Sequence, residues 1–218
     1  MITLAEENYL KAILSISLES NSKASTNSIA RELGTSAASV SDMLKKLQEK
    51  KLISYKKYKG VTLTVKGKYF AKSIIRKHRL WETFLVKKLN FDWGEVHDMA
   101  EQLEHIKSEE LIDKLDAFLG YPKFDPHGEP IPTKDGKIAS ANAVPLNKLT
   151  VKTRGKIMGV TMDEKSFLEY LTKLNISIGT KIEILDKIDF DQSLSIKINN
   201  KDQNISNDVA KHILIRIE

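Results

Sequence analysis

The sequence predicts an α+β fold in three parts: an N-terminal winged helix-turn-helix, a central all-helical domain and a C-terminal SH3-like β-barrel. Three observations carry this expectation. Apolar residues recur at helical spacing through the first half of the chain, and a short helix, a glycine and a second helix precede an alternating hairpin. From Lys148 onward short strands with one helix take over. The expected boundaries are residues 1–64 for the winged head, 65–120 for the helical domain, 121–147 for a proline-containing linker and 148–218 for the barrel.

The elements follow in order. Leu4, Tyr9, Leu10, Ile13, Leu14 and Ile16 give a first helix over about residues 4–18. The stretch SKAST at 22–26 breaks it and offers an N-cap. Ile29, Ala30 and Leu33 make a short helix that Gly34 ends. Thr35 or Ser36 then caps a third helix with Val40, Met43, Leu44 and Leu47 inward. LISYKKYKGVTLTVKGK alternates around Lys59-Gly60, the pattern of a hairpin or wing. A long helix begins after Thr64 and runs to about Leu89, where Phe91-Asp92-Trp93-Gly94 breaks it. WGEVHDMAEQLEHI is helical in pattern, and Ser108 with Glu109 and Glu110 starts another helix ending at Gly120. These apolar faces exceed what one small head covers, so packing between two copies of the chain is expected. Pro122, Pro126, Pro130, Pro132 and Pro145 mark the linker, in which His127 could be a ligand but reads first as a solvated loop histidine. Strands are expected at 150–158, 181–185, 193–198 and 213–217, with a helix at 164–174 and a turn at Gly179.

Composition narrows the class. Hydrophobic content of 41% supports packed cores, and the chain contains no cysteine, which excludes disulfides, zinc–cysteine sites and iron–sulfur clusters. MITLAEENYLK is acidic and amphipathic rather than a signal peptide, and no apolar run approaches the ~20 residues that span a bilayer. A soluble cytoplasmic protein is therefore expected. The net charge of +6 is segregated: Lys and Arg dominate up to Arg79, whereas residues 92–116 carry nine acidic side chains, from Asp92 to Asp116, against Lys107 and Lys114. A polyanion for the first region and a metal cation for the second is the simplest pair of partners.

The third helix fits the polyanion. Thr35, Ser36, Ala37, Ala38, Ser39 and Ser41 are small, and Asp42, Lys45 and Lys46 follow. Small residues at a helix N-terminus allow close approach to a groove, and the helix end favours phosphate. Helices of this kind read base edges from the major groove. Lys56, Lys57 and Lys59 on the wing would face the phosphate backbone, with Tyr55 and Tyr58 between them. The competing reading is a winged-helix protein-interaction domain.

The second helical set fits a cation. His97, Glu101, Glu104 and His105 are spaced to share one helical face, and His78 and Glu82 lie four apart upstream. Imidazole and carboxylate suit a divalent transition ion. The bland alternative is a solvated acidic helix with incidental histidines. A metal-dependent hydrolase using the same cluster is the alternative from another class, but neither an HExxH motif nor a recognisable nucleophile supports it, so no enzyme is expected. A metal-independent winged-helix regulator is the third reading.

Taken together, EENYLKAI, the helix-turn-helix, GVTLTVKGK, RKHRLWE, VHDMAEQLEH and DPHGEPIP occur in an order that resembles the DtxR/MntR family of metal-dependent transcriptional repressors over essentially the full length. The resemblance implies a homodimer that binds palindromic operator DNA when loaded with Mn(II) or Fe(II), with a C-terminal FeoA-like SH3 domain. It implies two metal sites per chain. One falls on His78, Glu82 and His97, and Asp163 is either its fourth ligand or an N-cap for the following helix. The other falls on Asn8, Glu101, Glu104 and His105. Asn8 stands where Asp or Met is common, and Lys11 replaces a carboxylate that members with a paired-ion site use. Zn(II), Co(II) and Ni(II) should also bind, by the general affinity order.

Overall fold

A computed structural model of the chain describes residues 2–20, 22–56, 60–140 and 142–218. Its contacts divide into two compact units: residues 1–78, 104–107 and 132–137 form the first, and residues 79–103, 108–131 and 138–218 the second. No helix among the described residues is long and apolar enough to cross a membrane.

The first unit is a winged helix-turn-helix. Helix α1 (Leu4–Ser20) opens on a capping box, in which Thr3 Oγ1 accepts the Glu6 N–H and Glu6 Oε2 accepts the Thr3 N–H. Helix α2 (Thr26–Glu32) is capped by Ser25 and followed by Gly34 at φ +59°, a left-handed position that glycine adopts without penalty. Helix α3 (Ala37–Glu49) is capped by Ser36, whose side chain accepts the Ser39 N–H. Strands β1 (Ile53–Lys56) and β2 (Gly60–Leu63) pair antiparallel as the wing, and Val61 N–H also reaches the Ala24 carbonyl at 2.8 Å. Leu10 and Ile13 of α1, Ile29 of α2, and Val40, Leu44 and Leu47 of α3 are fully buried in one core with Val61 of the wing. Each such side chain contributes about 1.5–3 kcal/mol by leaving water. Lys57, Tyr58 and Lys59, assigned above to the wing, lie outside the described residues.

Helix α4 (Val65–Leu89) has the limits that the sequence predicts, capped by Thr64 and ended by Asn90 at φ +59°. Helix α5 (His97–Leu103) is shorter than expected. Residues 104–107 leave the helix because tertiary partners claim them: Lys11 Nζ donates to Glu104 Oε2 at 2.7 Å and Lys77 Nζ to the Ile106 carbonyl at 3.1 Å. Helix α6 (Glu109–Phe118) is capped by Ser108 and carries Glu109 and Glu110 against its positive end. In the second unit Leu80, Ile112, Leu115 and Ile131 form a helical core.

The second unit also contains the SH3-like fold. Strands β3 (Val144–Pro145), β4 (Arg154–Val160), β5 (Lys181–Lys187), β6 (Leu194–Ile198), β7 (Lys201–Ile205) and β8 (Ile213–Ile217) form an antiparallel sheet in the order β3-β8-β4-β5-β6-β7. Helix α7 (Lys165–Lys173) packs Leu168 and Leu171 into its core. The sequence reading omits β3 and β7. Strand β7 reads KDQNI, too polar for the alternation rule, and pairs with β6 because Asn199 and Asn200 take the left-handed angles of a two-residue hairpin turn. A final short helix, α8 (Asn207–Ala210), precedes β8.

Candidate functional site

The recognition surface of the first unit is built by α3. Ser36, Ala37, Ala38, Ser39, Asp42, Lys45 and Lys46 are exposed, while Thr35 and Ser41 are half-buried. Ser41 Oγ donates to the Ala37 carbonyl, and Lys45 Nζ donates to Asp42 Oδ1 at 3.0 Å. Lys56 is exposed on β1. A row of small side chains at a helix N-terminus, followed by ammonium groups, suits a duplex groove flanked by phosphates.

A charged cluster also lies within the first unit. Lys11 Nζ donates to Glu104 Oε2 and lies 3.3 Å from His78 Nδ1, and His78 Nδ1 in turn is 2.6 Å from the same Glu104 oxygen. Glu104 is 1% exposed. One turn earlier on α1, Glu7 Oε2 lies 2.7 Å from His105 Nδ1. Asn8 is exposed, so Glu7 and not Asn8 faces His105. The sequence offers a signal for this that the alignment on Asn8 obscures: Glu7 and Lys11 are four apart on one helical face.

The second unit holds a separate cluster. Glu82 on α4, Asp125 and His127 bring ligand atoms within 4.8 Å of one another, and all three are buried. The turn Asp125-Pro126-His127-Gly128 creates this arrangement. Proline presets φ for its second position, Asp125 Oδ1 accepts the N–H groups of His127 and Glu129, and Gly128 closes the turn at φ +85°. His127 Nε2–H donates to the Trp93 carbonyl at 2.8 Å, which directs Nδ1 toward Glu82 Oε1 at 3.7 Å. That is how a metal-binding imidazole is held in one tautomer and orientation. Asp125 Oδ2 is buried without a hydrogen-bond partner among the described residues, with Arg79 Nε 3.5 Å away. Two buried carboxylates with an oriented imidazole fit a divalent cation, being the oxygen and nitrogen donors such an ion takes.

His97 extends the cluster toward solvent. Its Nδ1 lies 3.7 Å from Glu82 Oε1 and 3.3 Å from Asp163 Oδ2, and its Nε2 lies 3.6 Å from Glu101 Oε1. A cleft of about 360 Å³ opens beside it, lined by Glu95, Asp98, Asp163 and Glu164 among others. Glu101 first, then Glu82, raise the His97 pKa to about 10 against the effect of burial, with Asp163 adding to them. Burial alone would lower the His127 pKa, but Glu82 and Asp125 raise it to about 9. Burial, then Glu82 and Glu129, push the Asp125 carboxyl well above the usual range against Arg79 and His127. The two imidazole shifts trace to neighbouring carboxylates, and the Asp125 shift first to burial.

Two sequence expectations change here, and one of the two readings of Asp163 falls. His127 is buried at 3% exposure, not a solvated loop residue. Asp163 does not cap α7, whose N-cap is Glu164 without a side-chain bond; Asp163 faces His97. His97, Glu101, Glu104 and His105 do not share one helical face, since α5 ends at Leu103. Glu101 turns to His97, Glu104 to Lys11 and His105 to Glu7.

The turn that carries His127 is pressed against β4, where Val160 N–H donates to the His127 carbonyl at 2.9 Å. A Cβ on Gly128 would lie 2.0 Å from the Met158 carbonyl oxygen. Gly128→Ala should therefore cost about 2 kcal/mol and displace His127, seen as a lower urea midpoint together with weaker manganese binding. An unchanged midpoint would show that the turn accommodates the methyl group.

A winged helix-turn-helix followed by a helical domain with a buried carboxylate–imidazole cluster defines a metal-dependent DNA-binding regulator. Comparison with known proteins agrees. The iron-dependent repressor N-terminal DNA-binding domain matches residues 1–61, the iron-dependent repressor metal-binding and dimerisation domain matches 64–133, and the FeoA domain matches 144–217. The diphtheria toxin repressor of Corynebacterium diphtheriae is 30% identical over 198 residues, covering 86% of each chain. A solved manganese-dependent transcriptional repressor in complex with manganese is 33% identical, with a TM-score of 0.89 over 97% of this chain and 99% of that one. A probable metal transport system membrane protein of Chlamydia trachomatis is 43% identical over 76 residues, 35% of this chain, which spans only 17% of that protein's length. The chain belongs to the iron-dependent repressor family of metal-dependent, DNA-binding transcriptional repressors.

Proposed function

We propose that this chain is a cytoplasmic, homodimeric repressor that responds to Mn(II) or Fe(II) and binds a palindromic operator, acting by binding rather than catalysis. Glu82, Asp125 and His127 are the principal ligands, with His97 and Asp163 on the open side. The observation that carries this reading is the buried Glu82–Asp125–His127 group, whose ligand atoms converge within 4.8 Å of one another around an oriented imidazole. A bound divalent ion would be held by the converging carboxylate oxygens and the imidazole nitrogen. The oxygen-rich, thiol-free donor set favours a hard ion. Its binding energy becomes a shift in population toward the DNA-competent dimer. On the DNA side, Ser36, Ala37, Ala38 and Ser39 approach the groove, while Lys45, Lys46 and Lys56 meet phosphates, with Lys57 and Lys59 expected beside them.

The reading is tested by titrating the protein onto palindromic DNA with Mn(II), Fe(II), Zn(II) or a chelator. Affinity should rise with Mn(II) or Fe(II) and fall steeply with salt, as displaced counterions require. Lys56→Ala should weaken all sequences alike and reduce the salt slope by about one, whereas Ser39→Ala should alter sequence preference. No DNA binding at low salt with any of these ions would overturn the proposal.

A further inference from the structure

The charged cluster of the first unit differs in kind from that of the second. In the second unit, carboxylates face each other with an imidazole and a buried carboxylate oxygen has no hydrogen-bond partner among the described residues. In the first, an ammonium group already stands among the ligand atoms. Lys11 Nζ is 2.7 Å from Glu104 Oε2 and 3.3 Å from His78 Nδ1. These are hydrogen-bond distances, and the pair is sheltered, with Lys11 18% and Glu104 1% exposed. The neighbouring carboxylate, Glu7, is matched to His105. Asn8, the uncharged oxygen donor that could join such a set, is exposed.

From this geometry we infer that Lys11 is a built-in cation: it gives Glu104 and His78 the positive charge that a divalent ion would otherwise bring, so this position takes no divalent ion. The ammonium occupies the place an ion would need, because an ion contacting both Glu104 Oε2 and His78 Nδ1 would sit within repulsive distance of Nζ. Lysine is suited to this role as a compact charge with three donors on a flexible stem. The same contact ties α1 to the segment after α5 whether or not metal is present. Metal responsiveness then resides in the Glu82–Asp125–His127 group alone. This inference rests on the reading that the second-unit cluster is the metal site.

Counting bound Mn(II) tests it, by equilibrium dialysis of the full-length protein with elemental analysis. Three proteins are compared: wild type, Glu104→Gln and Lys11→Glu. Glu104→Gln should bind as many ions per chain as wild type, and Lys11→Glu should bind one more, since it converts the internal cation into a ligand. Loss of one ion per chain in Glu104→Gln would overturn the inference. So would identical counts and affinities for wild type and Lys11→Glu, an arm that stands even if Glu104→Gln does not fold. A wild type that binds no Mn(II) while Lys11→Glu binds one would sink the second-unit metal site and still support the role of Lys11.

Discussion

Replacing Lys11 with methionine should destabilise the metal-free protein by about 3 kcal/mol, in the range measured when one partner of a buried ion pair is removed. Methionine preserves most of the side-chain volume, so the loss reports charge rather than packing. The Lys11 ammonium meets a carboxylate that is 1% exposed. Without it, the buried Glu104 carboxylate loses its ammonium partner and is left with the imidazoles of His78 at 2.6 Å and His105 at 4.0 Å. The deficit should appear in urea unfolding in the presence of chelator. Lys11→Arg, which keeps the charge, should recover a large part of it. A loss below about 1 kcal/mol would put the pair among weak surface contacts and remove its structural importance.

Neutralising Asp125 should have the opposite signature. Asp125→Asn keeps shape but removes a charge that burial, Glu82 and Glu129 already disfavour, whereas Glu82→Gln, which also takes a partner from His97 and His127, is read for metal affinity alone. The metal-free Asp125→Asn chain should therefore become more stable, by about 1 kcal/mol or more. Manganese affinity should meanwhile fall by ~100-fold or more, since even partners of metal ligands cost 10–100-fold when lost. Metal-activated DNA binding should fall with it. Gain of stability with loss of function is the signature of a site held in tension for its ligand. Equal losses of both in Asp125→Asn would instead mark that carboxylate as an ordinary structural group.

The head was largely legible in the sequence. Ser25, Ser36 and Ser108 act as caps, Gly34 makes the turn, and α4 spans the predicted residues. Local rules fix these features, because capping and helical periodicity depend on neighbours in sequence. What was not legible depends on partners far along the chain. Helix α5 looks longer than it is because Lys11 and Lys77, well outside the segment, capture residues 104–106. His127 looks solvated because its linker is polar and proline-rich, yet the turn is pressed against β4 and its ring meets Trp93, 34 residues away. Strand β7 is hidden because its polar residues earn their place by pairing, not burial. The candidate metal cluster was half visible: spacing along α4 flags Glu82, but no local pattern joins it to Asp125 and His127.

Anomalous diffraction from crystals of the Mn(II)-loaded protein tests the central claim most directly. A manganese peak is expected within coordination distance of Glu82, Asp125 and His127. None is expected between His78 and Glu104, where Lys11 Nζ should remain. A peak bound by Glu104 and His105, with the Glu82–Asp125–His127 group free of metal, would contradict it.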